Sequence, residues 1–335
     1  MNLLSLPPIS IIIPVFNEEK KIYDCLDSIK KQNYPQSIIE ILIIDDESTD
    51  NTVEVTKSFG ATILTNGSHN IERGKSIGLA KAKNEYILFI DADNRLPHSN
   101  WLKNFVEALV ENKEAVGAQA IWFHYDKKHT LADKYCELFG VNDPIAFYLN
   151  RRDRLMATES KWTLPGKIVK ETDNYYLIEF NKNNLLTVGS QGFLTRKSFF
   201  LQTSWQPYLF HMDSNLELVM KGHNKYLMMK DTIIHLHCSS IAGFVKKLQR
   251  NFLLFLKQER IRKYTWRTKP AKLVSKTFFM ITFIVPTIDS IKGFLKKPDL
   301  AWFLNPLFCF LIPVLYLIYI FKRFEFKKII SSTFE

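Results

Sequence analysis

The stretch RGKSIGLAKAKNEYILFIDAD occupies residues 73–93. Small residues dominate Gly74–Lys83, which predicts a helix that packs closely on a neighbouring layer. Apolar residues fill Tyr86–Ile90, and a run of this length is typical of a buried strand. Asp91 and Asp93 follow at once, so two carboxylates stand at the end of the predicted strand. The stretch therefore predicts one helix–strand unit of an α/β sheet with an acidic end.

The same alternation of strand and helix extends toward both ends of this stretch. Buried strands are predicted at Ile9–Ile13, Ile39–Ile44 and Ala61–Leu64, and helices at Glu18–Lys31, at 52–59 and after Pro97. Such alternation predicts an α/β fold, Rossmann-like, with a mostly parallel sheet and helices on both faces. Ligands of such sheets bind at the carboxyl ends of the strands, where Asp45, Asp46, Asp91 and Asp93 fall.

The region 117–240 has a less regular pattern. Lys167–Val169 and Tyr175–Phe180 flank a turn and predict a β-hairpin. A helix is predicted over Asn215–Lys221, because Gly222 is a suitable residue to end it.

The positive charge is confined to the last third of the chain. The net charge is +11, but residues 1–240 hold 27 basic and 29 acidic residues, whereas residues 241–335 hold 18 basic and 5 acidic residues. The basic residues alternate with apolar runs, which favours an anionic membrane surface as the partner. No nucleic-acid-binding motif is present, so we expect no nucleic-acid partner.

The remaining composition argues for a reduced compartment. The four cysteines lie far apart without CxxC spacing, which argues against a disulfide framework and a structural zinc site and favours a reduced compartment. No Lys or Arg precedes the apolar run at 9–15, so we expect a buried strand there rather than a targeting signal.

Two kinds of membrane contact are predicted in the C-terminal third. Apolar residues recur at helical spacing over 244–263 with basic residues between them, which predicts an interfacial amphipathic helix; a helix packed on the protein's own core is the alternative. Leu300–Phe321 carries no charge and as a helix would span about 33 Å, enough to cross a bilayer. Thr277–Ile288 is shorter, and predicts a re-entrant segment unless Lys276 snorkels and allows a full span.

The loop after the first strand argues against two common nucleotide-binding chemistries. Residues 14–19 contain no glycine, so neither a dinucleotide-binding nor a P-loop fingerprint is present. Asp91-Ala92-Asp93 instead offers hard oxygen ligands for Mg²⁺ or Mn²⁺. Such an ion would stabilise a nucleoside diphosphate leaving group, on which negative charge accumulates. The alternative is that the two aspartates merely cap a loop.

At this point the sequence resembles the family 2 inverting glycosyltransferases of the GT-A fold. The matching runs are ISIIIPVFNEEKKI (9–22), ILIIDDESTDNT (41–52), RGKSIGLAKAKNEYILFIDAD (73–93) and DSNLELVMKG (213–222), followed by His235. The resemblance covers most of residues 9–240 and implies a nucleotide-sugar donor.

The resemblance also implies roles for individual residues. Donor binding would fall to Pro14, Asn17, Glu18, Asp46, Arg73, Lys75 and Asp91. Within this set Asp46 would contact the base, and the two basic residues would lie near the phosphates. Asp93 would be the main metal ligand, with Asp91 and His235 as further candidates.

Asp213 matches the general base of the family, which removes the proton of the acceptor hydroxyl. A helix N-cap is the alternative role for Asp213, and Glu217 is the competing carboxylate. Two departures affect the prediction. Met212 stands where the family often has Glu, and Glu47 stands where glycine is usual.

Two further motifs have less certain roles. Gln249-Arg250 matches only the start of the QxxRW element of processive synthases, which favours an enzyme that adds a single sugar. Asp143-Pro144 and the run 151–154 (RRDR) would either grip a phosphate-bearing acceptor or form a solvated charged surface.

Together these observations predict a membrane-anchored, inverting glycosyltransferase with its catalytic domain in the cytoplasm. Its cofactor would be Mg²⁺ or Mn²⁺, and its acceptor a lipid or lipid-linked glycan. We expect a GT-A domain at 1–240, with a nucleotide-sugar half at 1–116 and an acceptor half at 117–240. An interfacial helix region at 241–272, a membrane hairpin at 273–321 and a basic cytoplasmic tail at 322–335 would follow. The alternatives are a polyprenyl-phosphate sugar synthase and a non-catalytic GT-A-like membrane scaffold.

Overall fold

The computed structural model describes residues 6–258, 261–262 and 270–332, with the side chains of 270–274 and 320–332 left undescribed. The chain divides into two compact units. The first comprises Met1–His124 and Lys161–Leu236, and the second comprises Tyr125–Ser160 and His237–Glu335. Each unit therefore contains two separate segments of the sequence.

Among the residues that the structure describes, the first unit contains ten strands. They are β1 Ile9–Val15, β2 Ile39–Asp45, β3 Thr62–Thr65, β4 Tyr86–Phe89, β5 Asn94–Arg95, β6 Ala115–Phe123, β7 Lys167–Glu171, β8 Tyr175–Glu179, β9 Phe193–Arg196 and β10 Lys225–His235. Its helices are α1 Glu19–Lys30, α2 Thr52–Ser58, α3 Ile71–Lys81, α4 Trp101–Glu111, α7 Lys197–Phe200 and α8 His211–Met220.

Nine of the strands form one path in the order β3-β2-β1-β4-β9-β6-β10-β8-β7, and β5 pairs with β10 off this path. The pairings among β1, β2, β3 and β4 are parallel, as the alternation predicts. β9 runs antiparallel to both β4 and β6, and the β7–β8 hairpin is antiparallel too. The prediction of parallel strands is therefore confirmed for β1 to β4. The sheet as a whole contains both parallel and antiparallel pairs.

Helices cover both faces of this sheet, as predicted. Ile11 and Ile13 of β1 belong to the buried cluster that includes residues of α1 and α4. Ile12 points to the other face, toward α3. A Cβ added to Gly78 of α3 would lie 2.4 Å from the Ile12 side chain, so this close approach requires glycine.

Three helices start more than one residue away from the predicted start. α3 begins at Ile71, because the Asn70 side chain caps it by accepting from the backbone N–H groups of Glu72 and Arg73. α4 begins at Trp101 rather than directly after Pro97. α8 begins at His211, four residues before the predicted start.

The second unit is helical. It contains α5 Leu131–Phe139, α6 Pro144–Tyr148, α9 Ile241–Gln258, α10 Pro270–Ile281, α11 Ile284–Lys296, a 3₁₀ turn at Leu300–Phe303 and α12 Leu304–Ser332. Its buried core joins Tyr135 and Phe139 of α5 to Phe244 of α9, Trp302 of the turn and Phe308 of α12. Residues from the middle of the sequence thus share a core with the C-terminal helices.

The basic amphipathic pattern lies mainly on α9. Its first half packs on the core of its own unit, because Phe244 and Leu248 are buried and the Phe244 ring contacts Tyr135 and Phe308. Leu253 and Leu254 are exposed. The predicted continuation at 259–260 and 263–269 lies outside the described residues.

Within the described part of the chain, one helical stretch is long and apolar enough to cross a membrane, Leu300–Tyr319. Ser275–Ile281 and Ile284–Lys296 pass the same test only as a pair, and the two helices are bent by 65° at their junction. The side chains of the predicted basic tail lie outside the description.

The arginine run at 151–154 is not a solvated charged surface. Arg152 is buried and pairs with Glu159 at 3.0 Å. Arg154 is also buried and pairs with the neighbouring Asp153 at 3.0 Å. These two arginines therefore find their carboxylate partners within their own unit, as a buried guanidinium requires.

Candidate functional site

The Asp91–Asp93 turn and His235 lie together at the carboxyl end of β4. The two residues of β5 pair with the end of β10, so that His235 lies opposite Asn94. This pairing brings His235 Nε2 to 3.5 Å from Asp93 Oδ1, and both side chains are buried. A carboxylate and an imidazole at this separation are a suitable start for a divalent-cation site.

Asn94 holds this turn in shape. Its side-chain oxygen accepts from the backbone N–H of Asp91 at 3.2 Å, and its own N–H donates to the Asp91 carbonyl at 3.0 Å. The backbone N–H of Leu236 donates to the Asp93 carbonyl at 2.9 Å. Asn94 was not among the predicted site residues; its only signal in the sequence is that it follows the second aspartate.

The loops after β1 and β2 are joined by hydrogen bonds. Asn17 donates its backbone N–H to Ser48 Oγ at 2.9 Å, and its side-chain oxygen accepts from the Thr49 N–H at 2.8 Å. The Glu18 N–H donates to Thr52 Oγ1 at 2.8 Å. Asn17 and Glu18 therefore lie at the carboxyl edge of the sheet, in one connected loop structure.

Pro14 and Asp46 lie beside these loops. Pro14 is a buried residue of β1 and pairs with Ile44 of β2. Asp46 Oδ1 accepts from the backbone N–H groups of Ser68 at 3.0 Å and His69 at 2.9 Å. Asp46 thus fixes the loop after β3, in addition to the predicted contact with a base.

Glu47 explains why glycine is usual at its position in the family. Its φ is +65°, in the left-handed region that side chains disfavour. Gly67 lies close to it, since a Cβ added there would be 3.3 Å from Glu47 Oε1. Glu47 therefore holds a backbone conformation that strains a residue with a side chain.

The two predicted phosphate ligands differ in environment. Arg73 is exposed at the N-terminal end of α3. Lys75 is buried, and its Nζ lies 3.6 Å from Glu72 Oε2. The Leu209 N–H donates to the Glu72 carbonyl at 2.9 Å, which ties the start of α3 to the segment that precedes α8.

Asp213 lies in the first turn of α8 and is buried. The N-cap is Phe210, without a side-chain cap, so the alternative role of Asp213 as N-cap is wrong. Glu217 accepts from the Ser204 backbone N–H at 2.9 Å and from its hydroxyl at 3.3 Å. Glu217 is therefore engaged in holding a turn, whereas Asp213 is one full turn closer to the start of the helix.

The loop 188–192 connects α8 to the acidic edge. Asn215 of α8 donates to the Val188 carbonyl at 2.9 Å, and the Gly192 N–H donates to the Phe89 carbonyl of β4 at 3.1 Å. Gly189 has a φ of +110°, and a Cβ there would lie 2.6 Å from the Asn215 side chain. The start of α8 and the end of β4 thus border the same loop.

Cys25 lies beneath the acidic turn, with its Sγ 3.7 Å from the Asp91 carbonyl oxygen. Burial, with the nearby carboxylates of Asp93 and Asp91, raises the pKa of the Cys25 thiol. The thiol therefore stays protonated and is no nucleophile at neutral pH.

The mixed sheet with helices on both faces and the acidic carboxyl edge agree with the GT-A fold that the motifs predict. The sequence model described as "Glycosyl transferase family 2" matches residues 10–187, more than half of the chain. The chain therefore belongs to this family, as its motifs predict.

Two curated relatives illustrate the range of the family. Glycosyltransferase AglE of Haloferax volcanii is 28% identical over 137 residues, which are 39% of this chain and 45% of AglE. A Methanococcus voltae enzyme is 37% identical over 106 residues, 30% of this chain and 33% of the enzyme. Its name is dolichyl N-acetyl-α-D-glucosaminyl phosphate 3-β-D-2,3-diacetamido-2,3-dideoxy-β-D-glucuronosyltransferase. The chain thus aligns with less than half the length of each.

A solved structure confirms the fold. The mannosyltransferase PcManGT from Pyrobaculum calidifontis, solved with GDP-Man and Mn²⁺, superposes with a TM-score of 0.53 at 14% identity. The match covers 93% of this chain and 87% of PcManGT.

Proposed function

We propose that this protein is an integral membrane, inverting glycosyltransferase whose catalytic unit lies in the cytoplasm. It moves a sugar from a nucleoside diphosphate sugar to a lipid or lipid-linked glycan. The observation that carries the proposal is the contact of Asp93 with His235 at the carboxyl end of β4.

The donor would bind across the carboxyl ends of β1, β2 and β4. Pro14, Asn17, Glu18 and Asp46 line the nucleoside end of this edge in the proposal. Arg73 and Lys75 would face the diphosphate from α3, where positive side chains and a helix N-terminus favour an anion. Asp91 would contact the ribose.

A divalent cation fits the residues of the acidic turn. Asp93 and His235 supply an oxygen and a nitrogen donor 3.5 Å apart, and Asp91 supplies a second carboxylate. Mg²⁺ or Mn²⁺ bound here would neutralise charge that develops on the diphosphate. The presence of Mn²⁺ with a nucleotide sugar in PcManGT supports the choice of ion.

Asp213 would act as the general base. Its carboxylate takes the proton of the acceptor hydroxyl while the hydroxyl oxygen forms a bond to the anomeric carbon. The bond between that carbon and the diphosphate oxygen breaks on the opposite side, so the anomeric configuration inverts. The match of residues 213–222 to the family motif supports the choice of Asp213.

The apolar helix at Leu300–Tyr319 supports a membrane location and hence a lipid-borne acceptor. The Methanococcus voltae relative, whose name specifies a dolichyl-linked acceptor, supports the same class of acceptor. The alternative acceptor is a polyprenyl phosphate, to which the sugar would be transferred directly. The chemistry of the product distinguishes these two acceptors. A sugar attached to a phosphate is released by mild acid, whereas a glycan elongated at a sugar hydroxyl retains its new linkage.

Matched carboxylate substitutions test the mechanism. Full-length protein in detergent is given nucleotide sugars, Mn²⁺ and a membrane lipid extract, and release of nucleoside diphosphate is measured. We expect Asp213→Asn to lower kcat by about 10²-fold or more, because a general base contributes 10²–10⁴-fold. Nucleoside diphosphate affinity should not change.

Glu217→Gln is the control, since it removes a carboxylate of the same helix. It should lower thermal stability and leave kcat within about threefold of the wild-type value. A large loss of kcat in Glu217→Gln with normal turnover in Asp213→Asn would show that Glu217 is the base.

A further inference from the structure

The apolar stretch Leu300–Tyr319 has the basic helix α9 along its side. The ring centroids of Phe244 in α9 and Phe308 in α12 lie 4.6 Å apart, and the Phe252 ring stacks on the Tyr316 ring at 3.8 Å. The second contact lies eight residues after the first in both helices, so the two helices run parallel, side by side, over about 12 Å. The second half of the apolar stretch therefore has a basic helix as its neighbour.

The exposed charges of α9 lie on the side that faces away from α12. Lys246, Arg250 and Lys257 are exposed, whereas Phe244 and Leu248 are buried in the core of the second unit. At about 100° per residue, Lys246 points about 160° away from Phe244, and Arg250 stands in the same relation to Leu248. The three basic side chains thus form one stripe on the outer side of α9.

α12 carries an apolar stripe on the other side of this helix pair. Leu307, Phe310 and Leu317 are exposed, and their spacing of three and seven residues places them on one side of a helix. Phe308 and Ile312 are buried on the opposite side, where α9 packs. The pair formed by α9 and α12 is therefore basic on one outer side and apolar on the other.

α11 runs alongside the first half of the apolar stretch. The ring centroids of Phe283 and Phe310 lie 5.1 Å apart, and a Cβ on Gly293 would lie 2.5 Å from the Trp302 ring. These contacts join α11 and the apolar stretch into one layer, which must take a single position in a membrane. The side of α11 that faces away from Trp302 carries four exposed aliphatic residues, Ile284, Ile288, Ile291 and Leu295.

The basic stripe of α9 conflicts with a transmembrane position of the apolar stretch. Leu300–Tyr319 is about 30 Å long as a helix, so Phe310 near its middle would lie at the centre of the hydrocarbon core. Lys246 lies level with Phe310, because α9 runs parallel from the contact of Phe244 with Phe308, and Arg250 lies about 6 Å further along. Both would then face lipid near the depth at which Lys and Arg are least tolerated.

The charges beside the apolar residues match a lipid surface. Within residues 275–319, the exposed charged side chains are those of Lys292 and Lys296, and both are positive. The carboxylates of this segment are engaged inside the second unit, Asp289 with the Tyr148 hydroxyl and Asp299 with Lys134. An apolar surface bordered by lysines complements the headgroups and upper acyl chains of an anionic bilayer.

From these features we propose that the second unit is monotopic. Leu300–Tyr319 and α11 lie along the membrane with their exposed apolar residues inserted into one leaflet, and the basic stripe of α9 faces water. The inference rests on the membrane location in the proposed function. It replaces the predicted membrane hairpin at 273–321, and it moves the lipid contact predicted for α9 to α11 and α12.

The depth of labelled positions along the stretch tests the proposal. Phe303→Cys, Phe310→Cys and Leu317→Cys, all at exposed positions, carry an environment-sensitive fluorophore in the full-length protein. The protein is reconstituted into phosphatidylcholine–phosphatidylglycerol vesicles. The first and last labels lie about 21 Å apart along the helix, so a span and an in-plane helix give different depth profiles. The four native cysteines are buried, and the wild-type protein measures their background labelling.

We expect lipid spin labels near the headgroup to quench all three positions about twofold more than spin labels near the chain ends, because an in-plane helix keeps one depth. Lys246→Cys should be quenched by aqueous iodide as strongly as Lys57→Cys, which marks an exposed position of α2. Leu307→Cys supplies a further position on the same stripe if one of the three variants unfolds.

A span would give the opposite results. Quenching by the chain-end labels would then be strongest at Phe310→Cys and weaker at Phe303→Cys and Leu317→Cys, and Lys246→Cys would be shielded from iodide. Either result would overturn the in-plane position and leave the membrane location in the proposed function intact.

Two other results would also overturn the proposal. Quenching of the three stripe positions by iodide, with none by lipid labels, would place the stripe in water and contradict the membrane location as well. Shielding that depends on protein concentration and not on lipid would identify a second copy of the chain as the partner of this surface.

Discussion

His235 reaches Asp93 only because the two residues of β5 pair with the end of β10. The contact joins residues that are far apart in sequence, and it depends on Asn94 to hold the intervening turn. At the scale of residues, the site thus combines Asp93 and His235, which the family resemblance predicted, with Asn94, which belongs to no recognised motif.

Removal of the His235 imidazole should weaken metal binding without unfolding the protein. We expect His235→Gln to lower Mn²⁺ affinity by about tenfold or more, as loss of a metal-site partner typically does. Isothermal titration with Mn²⁺ and nucleoside diphosphate measures this, and EDTA should abolish sugar transfer by the wild-type protein.

The control is His98→Gln, because His98 pairs with Asp231 at 2.9 Å in a different part of the first unit. Equal Mn²⁺ affinity in His235→Gln and the wild type would remove His235 from the metal site.

Glu47 supplies a second prediction at this scale. Its φ of +65° costs about 1–2 kcal/mol in a residue with a side chain, and glycine avoids that cost. Glu47→Gly should therefore raise the free energy of unfolding by about 0.5–1 kcal/mol, after the greater flexibility of glycine in the unfolded chain is included. Thermal unfolding measures the change.

Gly60→Ala is the opposite control, since Gly60 has a φ of +74° with open space around it. It should lower stability through backbone strain alone. A stability loss in Glu47→Gly would mean that side-chain contacts of Glu47 outweigh the strain.

At the scale of elements, the sequence predicted β1 to β4 and the β7–β8 hairpin, and it did not identify β5, β6 or β10. Ile9–Val15 buries every side chain and Ile39–Asp45 buries its last four, and both are apolar runs that composition alone identifies. β10 interrupts its apolar residues with Lys230 and Asp231 at an irregularity in its pairing with β6, which hides the strand pattern. β5 has only two residues and no pattern at all.

The candidate site likewise contains one part that the sequence could predict and one part that it could not. Aspartates that end parallel strands meet at one edge by the geometry of the sheet, so their proximity was predictable. The partner of Asp93 was set by an antiparallel pairing between distant residues, which no local pattern specifies. The start of α8 was missed because Phe210 is no usual cap.

α5 carries a pH-dependent contact within the second unit. His129 Nδ1 lies 2.6 Å from the buried carboxylate of Glu137. This hydrogen bond raises the pKa of His129 above its ordinary value of 6.5, with smaller contributions from Asp126 and Asp133. The contact should therefore contribute its full stability below pH 6.5 and lose it as pH rises through the folded pKa.

Thermal unfolding of the wild type between pH 6 and 9 should show Tm falling with pH, and His129→Gln should flatten this part of the curve. The matched control His223→Gln changes a histidine of the first unit. An unchanged slope in His129→Gln would show that other groups cause the pH dependence.

At the scale of the whole molecule, the second unit depends on contacts between two distant parts of the chain. Tyr148 of α6 donates its hydroxyl to Asp289 at 3.0 Å and accepts from the Asn305 amide at 2.8 Å. Tyr316 donates to Asp143 at 3.1 Å. The segment 125–160, predicted as part of an acceptor half, thus packs with the C-terminal helices.

Tyr148→Phe tests the strength of this connection. It leaves Asp289 and Asn305 without the hydroxyl, so we expect a loss of about 1–3 kcal/mol in the stability of the second unit. Hydrogen exchange in detergent, followed on α6 and α11, measures the loss. Tyr23→Phe, at an exposed position of α1, should have no effect, and equal exchange in the two variants would contradict the role of Tyr148.

The shared core of the second unit also has a consequence for synthesis on the ribosome. Tyr135 and Phe139 leave the exit tunnel before their partner Phe308 has been translated. At typical elongation rates the delay is on the order of 10–30 s. During this interval the apolar side of α5 has no native partner from the C-terminal helices, so the nascent chain needs a chaperone or early delivery to the membrane insertion machinery.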